Sequence, residues 1–441
     1  MRVSCFYIGL WVSKVNCFRP LDTPLNAWPQ QRTKTQNSWP TAGSPLPSLT
    51  TPRHSGFMNS VRIGLIGMGN IGKHHAAYLR LGQVNRGELV AVCSPSPDKL
   101  ESYRPLKIFS DPLELFRSKA VDAVLIATPH FQHTSLGIAA LEAGLHVMVE
   151  KPISAHKADA ERLIAAASQR PELVFGAMFQ LRTEPRYLKI RQLMSSGELG
   201  KIIRMNWINT DWFRTEAYYS SGGWRATWKG EGGGVLLNQA LHNLDTLHWL
   251  FGRPARVRAF CQLGRFHEIE VEDQVTAYLE WNTGATGVFV TSTGEAPGTN
   301  RLEICGSRGR LVLENDRLIF QRTESDVLEF SKTAKTGFGK PEHWNVEVPF
   351  TNAPAQHATL MQNFIDAILD RKPLIAPGAD GLGSVELANG MLYSSLIGQT
   401  VDLPLDSAAY EATLRRLIGE SKFVKRVETL VSDDFSKSFR R

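Results

Sequence analysis

Several groups of residues in this chain have the types and spacing to do chemistry. Gly67-Met68-Gly69-Asn70-Ile71-Gly72 follows the β-branched run Val61–Ile66 and opens Ile71–Leu81, whose apolar residues fall at helical spacing. In that setting a GxGxxG loop permits a tight turn, close approach of a pyrophosphate, and close packing of helix on strand. The helix N-terminus adds N–H donors and partial positive charge. Gly67, Gly69, Asn70, Ile71 and Gly72 are therefore expected to hold a dinucleotide. An acid about 20 residues further on would accept from a ribose 2′-hydroxyl. Here the second strand ends in Cys93-Ser94-Pro95-Ser96, and no acid follows it until Asp98. Ser94 and Ser96, with Lys99 nearby, suit a hydroxyl or a 2′-phosphate, so NAD and NADP both stay open.

Two further motifs close strands. Thr128-Pro129-His130-Phe131-Gln132-His133 follows one, and Glu150-Lys151-Pro152 another. Ligands of open parallel sheets bind beyond the carboxyl ends of the strands. Removing a hydride from a carbinol carbon requires a group to take the hydroxyl proton. Lys151, held extended by Pro152, suits that role, and burial beside a cofactor would depress its pKa and ready it for proton transfer; the alternative is a surface lysine paired with Glu150.

The run Gly232–Asp245, GGGVLLNQALHNLD, is expected to open a helix spanning Gly233–Phe251. Asn238 and His242 stand at i, i+4 on one face. Asn238 cannot act as a base, but it can orient a hydroxyl by donating and accepting. His242 either assists proton transfer or is a structural histidine. Asp245 is expected to hold His242 or cap backbone. Upstream, Tyr218–Trp228 (YYSSGGWRATW) is either a packed surface loop or a substrate loop. In the second case Trp224 and its neighbours stack on a sugar, and Arg225 binds phosphate or carboxylate. Arg182 contacts substrate or braces a domain interface. His357 is a further candidate to line the site.

Positioning these groups takes a particular arrangement of elements. Leu89–Cys93, Lys107–Phe109, Val121–Ala127, His146–Val149 and Leu173–Phe179 read as further strands, and His133–Ala143 and Ala158–Ser168 as helices. This alternation predicts a parallel, doubly wound sheet over residues 58–180. Residues 181–405 change style. After a helix at Arg186–Ser196 come strand-like runs at Arg256–Leu263, Gln274–Trp281, Thr286–Thr293, Arg301–Cys305, Arg310–Glu314 and Arg317–Gln321. Short Gly-containing links between them predict hairpins and a mostly antiparallel open sheet. Helices follow near His357–Arg371 and Gly381–Gln399, and residues 406–441 read as a C-terminal helix and tail.

Composition excludes several classes. With 42% hydrophobic residues in 441, the chain can build sizeable cores. Its apolar runs fall well short of the ~20 residues of a membrane span. Five of the net seven positive charges fall in residues 1–57, so the remainder is nearly neutral and no nucleic-acid partner is expected. Residues 1–57 carry seven prolines and no periodic pattern. They read as a disordered extension or a mis-assigned start, with Met58 as the alternative first residue. Five cysteines without a CxxC pair predict neither disulfide scaffold nor metal site, but free thiols in a reducing cytoplasm.

Taken in order, the glycine loop, Thr128–His133, Glu150-Lys151-Pro152 and the Gly232–Asp245 run resemble the Gfo/Idh/MocA family of NAD(P)-dependent oxidoreductases over about residues 60–400. The resemblance implies an N-terminal Rossmann-type domain and a C-terminal antiparallel-sheet domain. It implies hydride transfer between nicotinamide and a CH–OH or keto group of a sugar, nucleotide sugar or inositol. It also implies a homo-oligomer built on a free sheet face. Lys151 matches the family's catalytic lysine. Asn238 stands where most members carry Asp, which shifts weight onto Lys151 and His242. Ser94, Thr128, Pro129, His133, Glu150 and Lys151 join the glycine loop as cofactor-binding candidates. Arg182, Trp224, Arg225, Asn238 and His242 are the substrate-binding candidates. Asn238-Gln239 and the aromatic loop look like the branch that includes UDP-N-acetylglucosamine 3-dehydrogenases. An inositol or glucose dehydrogenase, a 3-ketosugar reductase, or a non-catalytic NAD(P)-binding redox sensor is the alternative.

Overall fold

The computed structural model describes residues 59–96, 100–351 and 357–428. Residues 1–57, Met58, Asp98, Lys99 and residues 429–441 lie outside the described residues.

The first half alternates strand and helix in the order β1 (Val61–Ile66), α1 (Asn70–Arg80), β2 (Gly87–Cys93), β3 (Lys107–Phe109), α2 (Pro112–Arg117), β4 (Ala123–Ile126), α3 (His130–Glu142), β5 (His146–Val149), α4 (Lys157–Ser168) and β6 (Phe175–Ala177). The strands form a parallel sheet in the order β3-β2-β1-β4-β5-β6. The continuous apolar run of β4 is buried along its whole length, as a strand covered by helices on both faces requires. Strand order reverses between β1 and β4, so a crevice opens beyond their carboxyl ends. Gly67 and Thr128 stand there.

The second half contains α5 (Pro185–Ser195), β7 (Ile202–Asn209), α6 (Glu216–Ser220), α7 (Leu241–Phe251), β8 (Arg256–Leu263), β9 (Glu272–Glu280), β10 (Thr286–Ser292), β11 (Asn300–Gly306), β12 (Gly309–Glu314), β13 (Arg317–Thr323), α8 (Val327–Thr333), β14 (His343–Glu347), α9 (His357–Asp370), α10 (Gly381–Ile397), β15 (Val401–Asp402) and α11 (Ser407–Glu420). Its sheet runs β14-β13-β12-β11-β7-β10-β9-β8-β15. The β7–β10 pair is parallel and its other pairs are antiparallel. Met205, Trp207, Ala277, Phe289 and Leu302 point inward and are buried. Ile208, Phe260 and Tyr278 lie exposed. Asn315 and Asp316, with φ of 49° and 54°, make the two-residue turn between β12 and β13; Asn and Asp tolerate that left-handed conformation.

Three departures from the sequence expectations bear on how the site is built. Strand β7, central in its sheet, lies in a stretch read as no element, because both its partners come from 80 or more residues downstream. The helix expected over Gly233–Phe251 begins only at Leu241; residues 232–240 are tight turns pinned from β9. There, Glu272 Oε1 accepts from the amides of Gly234 (2.8 Å) and Leu236 (3.1 Å), and the Glu272 carbonyl accepts from Val235 at 2.9 Å. Finally, the chain returns to the first sheet. Ala177 donates its amide to Ala376 at 3.0 Å, and Gly176 bridges Pro377.

Candidate active site

The glycine loop does three separate jobs. Gly67 has φ +95°, and a Cβ on it would come 2.5 Å from the Ala127 carbonyl oxygen. A Cβ on Gly72 would come 1.9 Å from the Gly67 carbonyl oxygen, so Gly72 serves packing and stays out of the crevice. A Cβ on Gly69 meets nothing within 4 Å. Gly69 also caps α1, whose first turn carries neither a side-chain cap nor an acid. That leaves the N-terminal amides available to an anion.

The loop forms one wall of a cavity of about 790 Å³, lined also by Asn70, Ile71, Ser94, Pro129, Lys151 and His242. Such a volume suits a small-molecule site. Ser94 is buried, and its hydroxyl accepts from the Ser96 amide at 3.3 Å. Thr128 Oγ1 is buried and has no hydrogen-bond partner among the described residues. The open space at Gly69 and this orphaned hydroxyl, on one crevice at the strand-order reversal, fit a dinucleotide.

At the carboxyl end of β5, Glu150 turns inward and Lys151 reaches across the cavity. Glu150 Oε1 lies 2.7 Å from His75 Nε2, and Oε2 accepts from the Lys151 amide at 3.1 Å. Burial alone would raise the Glu150 pKa, but the His75 hydrogen bond and charge, with His357 and Lys151, pull it down to about 2. His75 Nδ1 in turn lies 2.8 Å from the Tyr78 hydroxyl. Lys151 Nζ donates to the Asn238 carbonyl at 3.0 Å and faces Asn238 Oδ1 at 3.4 Å. Burial lowers its pKa to about 8 against the pull of Glu150 and Glu231.

Asn238 and His242 share this cavity although Asn238 precedes the helix. Asn238 Nδ2 donates to Glu231 and reaches the Tyr218 hydroxyl at 3.3 Å. His242 Nε2 lies 3.3 Å from Gln180 Nε2, and its ring stacks on Trp212 at 6.4 Å. The aromatic loop closes the opposite side. Arg225 donates to the Tyr218 hydroxyl at 2.9 Å and lies 4.7 Å from the Tyr218 and Trp224 ring centroids. Its Nε is buried without a hydrogen-bond partner among the described residues. Trp224 meets His130 edge-on at 5.4 Å.

The remaining candidates divide: His133 and His357 line the cavity and Arg182 does not. Its guanidinium holds Asp245 through two hydrogen bonds, at 2.7 and 2.8 Å, and Asp380 at 2.7 Å, so the geometry carries the bracing alternative. Asp245 consequently faces Arg182 and not His242. His133 is buried, with Nδ1 2.6 Å from the Pro152 carbonyl and Nε2 2.7 Å from the Thr128 carbonyl; it ties the ends of β4 and β5 together. His357 lines the cavity beneath His74 and His75, and burial with the neighbouring His75 drives its pKa down to about 3.

Sequence reasoning missed Glu231, Gln180, Trp212 and Arg214. Each is distant in sequence from Lys151 and outside the motif positions singled out. Among the described residues there is no group of three or more His, Cys, Asp or Glu able to hold a metal, and no helix long and apolar enough to cross a membrane.

Comparison with known proteins matches residues 61–177 to the oxidoreductase family with an NAD-binding Rossmann fold, and residues 187–312 to the GFO/IDH/MocA C-terminal domain. The chain belongs to the Gfo/Idh/MocA family. The uncharacterized oxidoreductase YdgJ of Escherichia coli is 32% identical over 379 residues, covering 81% of this chain and 99% of that protein. Myo-inositol 2-dehydrogenase of Thermotoga maritima is 27% identical over 276 residues, covering 58% of this chain and 76% of that protein. The WlbA dehydrogenase of Bordetella pertussis, solved with NADH and UDP-GlcNAcA, superposes with a TM-score of 0.66 at 26% identity, covering 79% of this chain and all of that one. As a Gfo/Idh/MocA member the protein is an oxidoreductase of the dehydrogenase/reductase type, and its first half is an NAD-binding Rossmann domain.

Proposed function

We propose that this Gfo/Idh/MocA oxidoreductase interconverts a CH–OH and a keto group on a sugar, nucleotide sugar or inositol, with Lys151 as the acid/base. The observation that carries the reading is the placement of Lys151 Nζ. It projects from the end of β5 into the cavity that the Gly67–Gly69 loop borders, with a pKa lowered to about 8. Nicotinamide, when bound, supplies the hydride acceptor or donor. Gly67, Gly69, Asn70 and Ile71, with Ser94 and Thr128, would hold the cofactor. Lys151 takes the hydroxyl proton during oxidation and returns it during reduction. Asn238, fixed on Lys151, and His242, backed by Trp212, orient the substrate hydroxyl. Trp224 and Tyr218 offer faces to a sugar ring, and Arg225 offers a guanidinium to an anionic substituent. The ligands named for the Bordetella and Thermotoga relatives support this substrate class.

We place subunit contacts of a homo-oligomer on the exposed sheet residues Ile208, Phe260 and Tyr278. The free thiols of Cys93, Cys261 and Cys305 suit a reducing compartment.

Sugars, inositols and UDP-sugars, tested with NAD and NADP at the reduced-nicotinamide absorbance, give the substrate. With that substrate, Lys151→Ala lowers turnover by about 10²–10⁴-fold, while the variant still binds cofactor through the glycine loop. Near-native turnover of that variant overturns the assignment.

A further inference from the structure

Glu231 stands just ahead of the glycine run and is buried to 1% exposure. Its Oε2 accepts from the Ala226 amide at 2.6 Å, and its Oε1 accepts from the side-chain amide of Asn238. Both carboxylate oxygens thus face N–H donors, an arrangement that satisfies the ionised form. An asparagine side chain has one donating end and one accepting end. A carboxylate takes only the donating end, so Glu231 turns Asn238 Oδ1 toward Lys151 Nζ, 3.4 Å away. Asn238 itself brings no charge to the ammonium. The second carboxylate near Lys151, Glu150, is engaged by His75.

From this geometry we infer that Glu231 is a positioning residue for Lys151. Through the amide of Asn238 it aims an oxygen at the ammonium, and it supplies the negative charge that Asn238 lacks. The inference rests on Lys151 being the acid/base. Lys151 also feels Glu150, Arg225 and Arg214, and it acts in turn on His130, His133 and His357. Burial raises the Glu231 pKa, opposed by Arg225, the Ala226 and Asn238 amides and Lys151; Glu231 acts in turn on Tyr219, Glu272 and Lys425.

The test uses the full chain and two readouts. One is the pH dependence of kcat/KM. The other needs no substrate: the pH dependence of Lys151 acetylation by acetic anhydride, quantified by peptide mass spectrometry. Glu231→Gln keeps an acceptor for Asn238 and removes the charge. It should move both midpoints to lower pH, by about one pH unit. Asn238→Asp should lower turnover in the Glu231 background, where two carboxylates then abut. In the Glu231→Gln background the same change should raise turnover and restore the midpoints. Should Glu231→Gln fail to fold, Asn238→Ala, which cuts the bridge, must shift the acetylation midpoint in the same direction. Unmoved midpoints, or an Asn238→Asp effect of the same sign in both backgrounds, overturn the inference. Failure of the Lys151 reading shows separately, as retained turnover in Lys151→Ala, while acetylation still scores the effect of Glu231 on Lys151.

Discussion

Lys151 and the groups around it set how the reaction should respond to pH. Oxidation needs the neutral amine to accept the hydroxyl proton, so kcat/KM for oxidation should rise with pH and level off above about 8. Reduction needs the ammonium and should decline above the same point. Glu150, at about 2, and His357, at about 3, hold their charge states throughout the neutral range, so neither adds a limb there. Rate profiles in both directions check this; limbs of the same sign in the two directions would remove Lys151 from the role. At the other end of the crevice, Ser94 is the buried polar group at the close of β2. Ser94→Asp should accept from a 2′-hydroxyl and repel a 2′-phosphate. The ratio of NADP to NAD affinity, measured by titration, should fall.

At the level of elements, the site is held in place by ties between segments far apart in the chain. Arg182 joins the segment after β6 to α7 and to Asp380, just before α10. Arg182 and Asp245 are both 1% exposed. Arg182→Ala would strand a buried carboxylate and should cost about 3–5 kcal/mol of stability, read from denaturant midpoints. Dinucleotide titration of the same variant should remain close to that of the parent, because the glycine loop is untouched. A fall in cofactor affinity with unchanged stability would contradict the bracing role. Glu272 performs a comparable service, pinning the turns that carry Asn238 into the cavity.

For the whole molecule, a cofactor that binds only the folded state stabilises it by mass action. NADH or NADPH at about 100 times its Kd should add roughly 2.7 kcal/mol to the unfolding free energy. Gly69→Val should abolish this increment while leaving the stability without cofactor nearly unchanged, since a Cβ there meets no protein atom within 4 Å. Paired denaturation curves with and without dinucleotide check both statements. An undiminished increment in Gly69→Val would place the phosphates elsewhere.

What the sequence determined by itself is whatever short-range pattern controls. The strand–GxGxxG–helix unit, Glu150-Lys151-Pro152 at the close of β5 and the alternation that builds a parallel sheet are all local, and each is legible in one pass along the chain. The hairpins β9–β10, β11–β12 and β12–β13 follow from the same kind of signal, alternating strands joined by short turns. What only the tertiary structure decided depends on partners remote in sequence. Strand β7 becomes central because β10 and β11 pair with it across 80 or more residues. Asn238 sits in a pinned turn and not on a helix, because Glu272 captures the amides of Gly234 and Leu236. Arg182 turns away from the cavity because Asp245 and Asp380 converge on it. Glu231 carries no motif of its own, and its bearing on Lys151 exists only because the fold buries its carboxylate against the Asn238 amide. Burial and approach distance, which a linear pattern does not encode, govern all four.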